Sequence, residues 1–388
     1  MAIPISYNIR SVLRRPWSTL ATAVGIGLVV AILVLALALA NGFQQSLVAT
    51  GSAQNALVMR TGADSELTSG IDRGGVSILR GLTDVAVGPA GRPLVTSDMV
   101  VLINQERTGG KGSSNVTVRG VDRDGMILRE KVKIVSGRMF EPGAAELVIG
   151  TRIATRFVGF GLGDQVRLGQ RAFTVVGIFA AGGTAFESEA WGDVAILSPV
   201  LRGGGYSSVT FRMKDPARFA ALKKELEADP RLGVQVQRED TYYANQSQGL
   251  ATTIRVAGVF IVLIMAVGAI FAAMNTMFAA VGARTREIAT LLTLGFGPFA
   301  VMTSFVLESV IVALVGGVVG CLLALPVNGM ATSTTNFATF SEIAFAFQIT
   351  PPILLAGLIF ALGLGVVGGI LPAWKASRLP LAAAMRGL

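Results

Sequence analysis

Hydrophobic and polar positions divide this chain into long apolar runs around one long mixed stretch. No Asp, Glu, Lys or Arg lies between Arg15 and Arg60, nor between Arg255 and Arg284. Two further runs, 298–325 and 351–374, contain a single charged residue, Glu308. A helix rises about 1.5 Å per residue and needs roughly 20 apolar residues to cross a bilayer core. The pattern predicts four transmembrane helices, at 16–41, 251–280, 298–325 and 351–374.

The stretch 42–250 has ordinary charge density and turn signals, which predict a folded domain. Residues 207–239 read strand–helix–strand, with Asp215 as helix cap and Pro216 in the first helical position. A similar order is expected upstream, with strands near 56–60, 94–104 and 115–121 and a short helix near 71–81. Residues 133–199 are strand-rich and read as an inserted small β subdomain. Polar residues 238–250 predict a helical extension of the second span.

Lys and Arg in short flanks set orientation. They cluster in 1–15 (Arg10, Arg14, Arg15), in 281–297 (Arg284, Arg286) and in 375–388 (Lys375, Arg378, Arg386), whereas 326–350 carries only Glu342. Both termini and 281–297 are therefore expected in the cytoplasm, with 42–250 and the 326–350 loop outside. The expected fold class is an α-helical membrane protein with four transmembrane helices plus an α+β extracytoplasmic domain of split βαβ type. Arg14-Arg15 before an apolar run also resembles a secretory signal. Such signals have h-regions of about 7–15 residues, and this longer run is expected to stay as an anchor.

Composition narrows the chemistry. The chain is 52% hydrophobic and only 15% charged, against about 25% charged in soluble domains. Its net charge of +9 comes without a basic-aromatic cluster, so the excess fits cytoplasmic flanks rather than nucleic acid. There is no histidine, which excludes a Ser-His-Asp triad, and one cysteine, Cys321, which excludes an intramolecular disulfide. Glu187, Glu189 and Asp193 are expected in a solvated loop. "TGGKGSS", Thr108–Ser114, lacks phosphate-loop spacing and reads as a hairpin tip. No Walker motif or metal cluster is present in the sequence.

Three features remain. The stretch "VGARTREIATLLTLGFGP", Val281–Pro298, predicts a short cytoplasmic helix. Arg284, Arg286 and Glu287 offer charge-assisted bonds, and Ile288, Leu291, Leu292 and Leu294 an apolar face. It would dock a partner or lie on lipid headgroups. Glu308 is an intramembrane acid with no intramembrane Lys or Arg to pair with, open to a proton relay or a helix–helix hydrogen bond. Gly316, Gly317, Gly320, Gly365 and Gly369 predict close helix packing against unidentified partner helices.

"RTREIATLLTLGFG", Arg284–Gly297, resembles the cytoplasmic signature of FtsX/MacB-type ABC-transporter permeases. "LPAWKASRLPLAAAMR", Leu371–Arg386, resembles their C-terminal tail, and Gly120–Gly150 with "GLGDQVRLGQRAFTVVGIF" resembles the outer domain of the MacB-like branch. Ala289, Thr293, Gly297 and Met385 depart from the usual residues without removing a charge. The resemblance implies that 281–297 is a coupling helix, with Arg284, Arg286, Glu287, Ile288 and Leu291 facing an ATPase. It implies a permease without enzymatic activity of its own, in a bacterial inner membrane, working as a mechanotransmitter. ATP and Mg would be bound by a separate cytoplasmic ATPase subunit, and a second permease copy and a periplasmic adaptor are further expected partners. The alternative is a membrane-anchored sensor or scaffold whose outer domain binds a ligand or activates a cell-wall enzyme.

Overall fold

The computed structural model describes residues 5–14, 16–89, 91–110, 112–122, 125–337 and 339–378. Lys111 and the tail 379–388, including Arg386, lie outside the described residues. In chain order the elements begin α1 (Ile5–Leu13), α2 (Pro16–Val48), β1 (Asn55–Arg60), α3 (Arg73–Arg80), β2 (Val95–Glu106), β3 (Ser113–Val121) and α4 (Gly125–Leu128). There follow β4 (Lys133–Gly137), β5 (Glu146–Gly150), α5 (Thr151–Ala154), β6 (Gln165–Leu168), β7 (Arg171–Ala180), β8 (Glu189–Asp193) and α6 (Val194–Arg202). Next come β9 (Ser208–Arg212), α7 (Phe219–Ala228), β10 (Val234–Arg238), α8 (Glu239–Ala283), α9 (Thr285–Thr293) and α10 (Pro298–Ala324). The last are β11 (Ala331–Thr335), β12 (Glu342–Ala346) and α11 (Pro351–Ser377).

Two compact units result. The membrane unit takes residues up to 41, 252–330 and from 347 onward, and the α+β unit takes 42–251 and 331–346. Among the described residues four helices are long and apolar enough to cross a membrane: α2, α8, α10 and α11. α8 is continuous over 45 residues from Glu239.

Close packing in the membrane unit depends on missing side chains. A Cβ added at Gly316 would lie 2.6 Å from the Ala23 carbonyl oxygen, and one at Gly320 2.3 Å from that of Gly27. These two glycines seat α10 directly on the backbone of α2. Gly317 meets the Ala361 Cβ, Gly365 the Ala313 Cβ and Gly369 the Ser309 Cβ, each at 2.7 Å from an added Cβ. They close α10 onto α11, where Ser309 Oγ also donates to Gly365 O at 2.8 Å. All five predicted glycines therefore pack helices of the same chain.

In the α+β unit, four strands align in the order β10-β1-β9-β2, every pair antiparallel. Numbered among themselves they read 4-1-3-2, the split βαβ arrangement, with α3 and α7 as crossovers. Val58, Phe211 and Val236 fill the core against Leu79, Leu222 and Leu226. Asp215 caps the α7 segment as expected, accepting from Ala217 N at 2.9 Å. The long strand β2 then leaves this group. Its first part pairs β9, and from Met99 onward it pairs β3. β3 runs parallel to β8, and β5, β7, β4 and β6 complete a second lobe around Ile149, Phe160 and Phe173. β3 thus belongs with the inserted lobe rather than with the upstream strands.

The 326–350 segment is more than a loop. β11 and β12 form an antiparallel hairpin within the α+β unit. Glu342 accepts from Arg107 Nε at 2.9 Å and Nη2 at 2.6 Å, and Ala344 N donates to Ser188 Oγ at 2.9 Å.

The acidic cluster read as solvated is buried. Glu189 pairs with Arg119 and accepts from Trp191 Nε1 at 2.7 Å. Glu187 accepts from the backbone N–H groups of Ala181 and Gly183 and pairs with Arg152. Asp193 caps α6 and accepts from Gly143 N. Each carboxylate is matched by donors from a distant part of the chain, which a local reading of the sequence has no means of seeing.

Candidate coupling site

α8 ends at Ala283, and Arg284, with φ −117° and ψ 19°, turns the chain into α9. α9 stops in a Schellman arrangement: Phe296 N donates to Leu291 O at 3.1 Å and Gly295 N to Leu292 O at 3.2 Å. Gly295 takes φ +90°, a left-handed value that a side chain resists. Gly297 then caps α10, with Pro298 in its first turn.

α9 has two unlike faces. Ile288 and Ala289 are fully buried, and Ile288 packs in an apolar cluster with Met277, Val281, Val301, Phe305 and Ala373. Arg286, Glu287, Thr290, Thr293 and Leu294 are exposed, Leu294 to 68%. Leu291 is half-buried. Of the five residues expected to face a partner, Arg286 and Glu287 lie open, while Arg284 and Ile288 point their side chains into the protein.

Arg284 is committed elsewhere. It is 7% exposed, and its Nη1 meets Glu308 Oε2 at 3.3 Å while Nη2 donates to Ser11 O at 3.2 Å. Ser11 Oγ donates to the other Glu308 oxygen at 2.5 Å. One turn earlier in both helices, Ser304 Oγ donates to Asn8 Oδ1 at 2.5 Å. The intramembrane acid therefore has a cation after all, supplied from the α8–α9 junction. A carboxylate in this setting is costly alone and acceptable when paired.

The second partner comes from α1, a helix the sequence pattern did not announce. α1 packs on α10, and Tyr7 on it donates to Glu287 Oε2 at 3.1 Å. Partial burial, then the neighbouring Glu287 charge, holds the Tyr7 hydroxyl above its ordinary value, so Tyr7 stays a donor. One network thus ties α1, the α8–α9 junction and α10. Deeper in the unit, Thr22 Oγ1 donates to Thr276 Oγ1 at 2.9 Å, linking α2 to α8.

α9 is held on one side and open on the other. Its buried face is wedged among α8, α10 and α11, and its root is pinned by an ion pair. Among the described residues no group of three or more Asp, Glu, Cys or His is placed to hold a metal ion.

Comparison with known proteins gives two domain matches. The MacB-like periplasmic core domain matches residues 19–229, and the FtsX-like permease C-terminal domain matches residues 259–381. The pyoverdine export ATP-binding/permease protein PvdT of Pseudomonas entomophila is 30% identical over 272 residues, covering 63% of this chain and 39% of that protein. The macrolide export ATP-binding/permease protein MacB of Hyphomonas neptunium is 28% identical over 255 residues, covering 62% of this chain and 38% of that protein. The chain thus spans less than half the length of these two relatives. An uncharacterized ABC transporter permease of Bacillus subtilis, YknZ, is 25% identical over 290 residues, 70% of each chain. Among solved structures, the extracellular domain of a YknZ transporter from Gram-positive bacteria aligns with 47% of this chain and 99% of its own, at 16% identity and a TM-score of 0.36.

Proposed function

This chain belongs to the FtsX/MacB-type ABC-transporter permease family, and we propose from that premise that it transmits ATP-driven motion across the membrane. In this reading a separate cytoplasmic ATPase closes on ATP and Mg, pushes α9, and so moves the α+β unit on the outer side. The substrate is exported or extracted there. The chain sits in a bacterial inner membrane with both termini and α9 cytoplasmic, and works with a second permease copy. A periplasmic adaptor is a further partner consistent with this reading.

The observation that carries the proposal is the division of α9. Its exposed stripe offers a cation, an anion and an apolar end in Arg286, Glu287 and Leu294, while Ile288 and Ala289 anchor it inward. A helix lying on lipid headgroups has no need of a rigidly wedged rear face. Replacing Arg286 and Leu294 together by Ala, with Glu287 left on Tyr7, should abolish co-purification with the cognate ATPase and leave the thermal unfolding of the permease unchanged. Full co-purification of that variant would falsify the assignment.

A further inference from the structure

Asn275 is a polar side chain in an apolar span. Between Val256 and Ala283 it and Thr276 are the only side chains bearing a hydroxyl, an amide or a charge. Thr276 is satisfied: its Oγ1 donates to Ala272 O at 2.9 Å and accepts from Thr22 Oγ1 at 2.9 Å. Asn275 is exposed and has no hydrogen-bond partner among the described residues. It precedes Ala283, the last residue of α8, by eight positions, a rise of about 12 Å. An asparagine side chain is too short to reach headgroups over that distance, and hydrocarbon offers it no partner.

α8 presents three kinds of surface. Val262, Ala266, Ala269, Ala273, Met277 and Ala280 are buried in the membrane unit. With 3.6 residues per turn, Asn275 points within about 25° of the direction opposite that buried side. The exposed surface is itself divided. Phe260, Leu263, Val267, Phe271 and Phe278 make one half bulky. Gly268, Ala272, Asn275, Ala279 and Gly282 make the other half small, at alternating steps of four and three residues. Those steps are the seam along which two helices pack at a shallow angle. A Cβ added at Gly268 or Gly282 meets nothing within 4 Å, whereas the α10 glycines touch the α2 backbone. The small half of α8 is therefore shaped for a close approach that this chain does not itself supply. Large apolar side chains suit lipid, and small ones around a polar group suit another helix.

We propose that a second copy of this chain covers the small half of α8, with the Asn275 amides of the two copies hydrogen-bonded to each other. The occupant follows from chemistry and symmetry. A carboxamide carries donors and an acceptor, so two of them pair reciprocally. Two copies inserted the same way are related by a two-fold axis along the membrane normal, which sets a residue opposite itself at the same depth. The inference deepens the reading that two permease copies work together, and it requires no ATPase.

The test uses the purified full chain with Cys321→Ser, in vesicles diluted with excess lipid so that chance encounters are rare. Copper-phenanthroline oxidation should link Asn275→Cys, and separately Ala279→Cys, into a disulfide dimer. Leu263→Cys, exposed on the bulky half, should give none. Adding Asn275→Ala to Ala279→Cys should lower the dimer yield by roughly threefold or more, the effect of losing a hydrogen bond between membrane helices. Alanine keeps the seam small, so that fall reports the amide rather than the fit. No dimer from Asn275→Cys and Ala279→Cys, an equal yield from Leu263→Cys, or an unchanged yield with Asn275→Ala overturns the proposal. A dimer that forms as expected while α9 binds no ATPase would count against the transmission reading alone.

Discussion

The two units each bury an arginine, and they bury it differently. In the α+β unit Arg119 is 2% exposed and bonds bidentately to both Glu66 and Glu189, with Asp98 at 3.1 Å. Arg129 adds a second cation on Asp98, and both guanidinium groups lie over Phe186. In the membrane unit Arg284 has one carboxylate at 3.3 Å and one carbonyl. The first cluster is satisfied from several directions and fixes one arrangement. The second rests on one carboxylate and one carbonyl, at the root of the helix proposed to move. Buried charge acts as a rigid joint where its partners are many and as a releasable one where they are few.

The most damaging test removes the rigid joint. Arg119→Ala leaves Glu66 and Glu189 buried without a cation, while Asp98 keeps Arg129, and breaking a buried pair costs about 3–5 kcal/mol. Urea unfolding followed by Trp191 emission, with Trp17 and Trp374 replaced by Phe, should show the loss. A change under ~1 kcal/mol would put Arg119 with surface pairs and erase the contrast.

The releasable joint should respond as a pair. Arg284→Ala leaves Glu308 unpaired, whereas Arg284→Ala with Glu308→Gln removes the charge together with its partner. A double-mutant cycle on thermal stability should give a coupling of about 0.5–3 kcal/mol. Additive effects would show that the 3.3 Å contact contributes nothing.

Helix seating separates from charge by glycine substitution. Gly320→Val pushes a side chain onto the Gly27 carbonyl and should cost about 1–3 kcal/mol. Gly363→Ala meets nothing within 4 Å and should be neutral or slightly stabilising. Equal effects at the two sites would remove the packing argument.

The smallest effect is on pH. Burial alone would raise the Glu66 carboxyl, but the Arg119 charge and hydrogen bonds, with Ser208, hold it below its ordinary value. The native state therefore favours the ionised form. Its stabilisation is full above the ordinary carboxyl range and is lost as pH falls through the lowered folded value. Glu66→Gln should flatten the acid limb of the stability profile. An unchanged slope between pH ~5 and ~3 would mean that Glu66 is not coupled to Arg119.

The sequence announces what depends on local pattern. Charge-free runs give the four spans, and the Asp215–Pro216 start gives the crossover into β10. α1 escapes because nine residues with Asn8, Arg10 and Ser11 make no apolar run. The pairing of Arg284 with Glu308 escapes because Arg284 sits at the α8–α9 junction and Glu308 on α10, 24 residues apart. The β11–β12 hairpin leaves a readable trace in the alternation of Ser341–Phe347 and the Thr run before it, without the two-residue turn that marks a tight hairpin. The inward half of α9 is set by tertiary packing: Ile288 and Leu291 look equivalent on a helical wheel, and only the neighbouring helices decide which is covered.

The central claim is that the open face of α9 touches an ATPase. The one cysteine, Cys321, is buried and can be replaced by Ser. In that background Thr290→Cys, exposed on α9, should form a cross-link to the cognate ATPase with a short bis-maleimide, and Gly363→Cys on α11 should form none. An ATPase adduct from Thr290→Cys alone is the predicted result. Its absence, in membranes where the ATPase is present and active, would contradict the account.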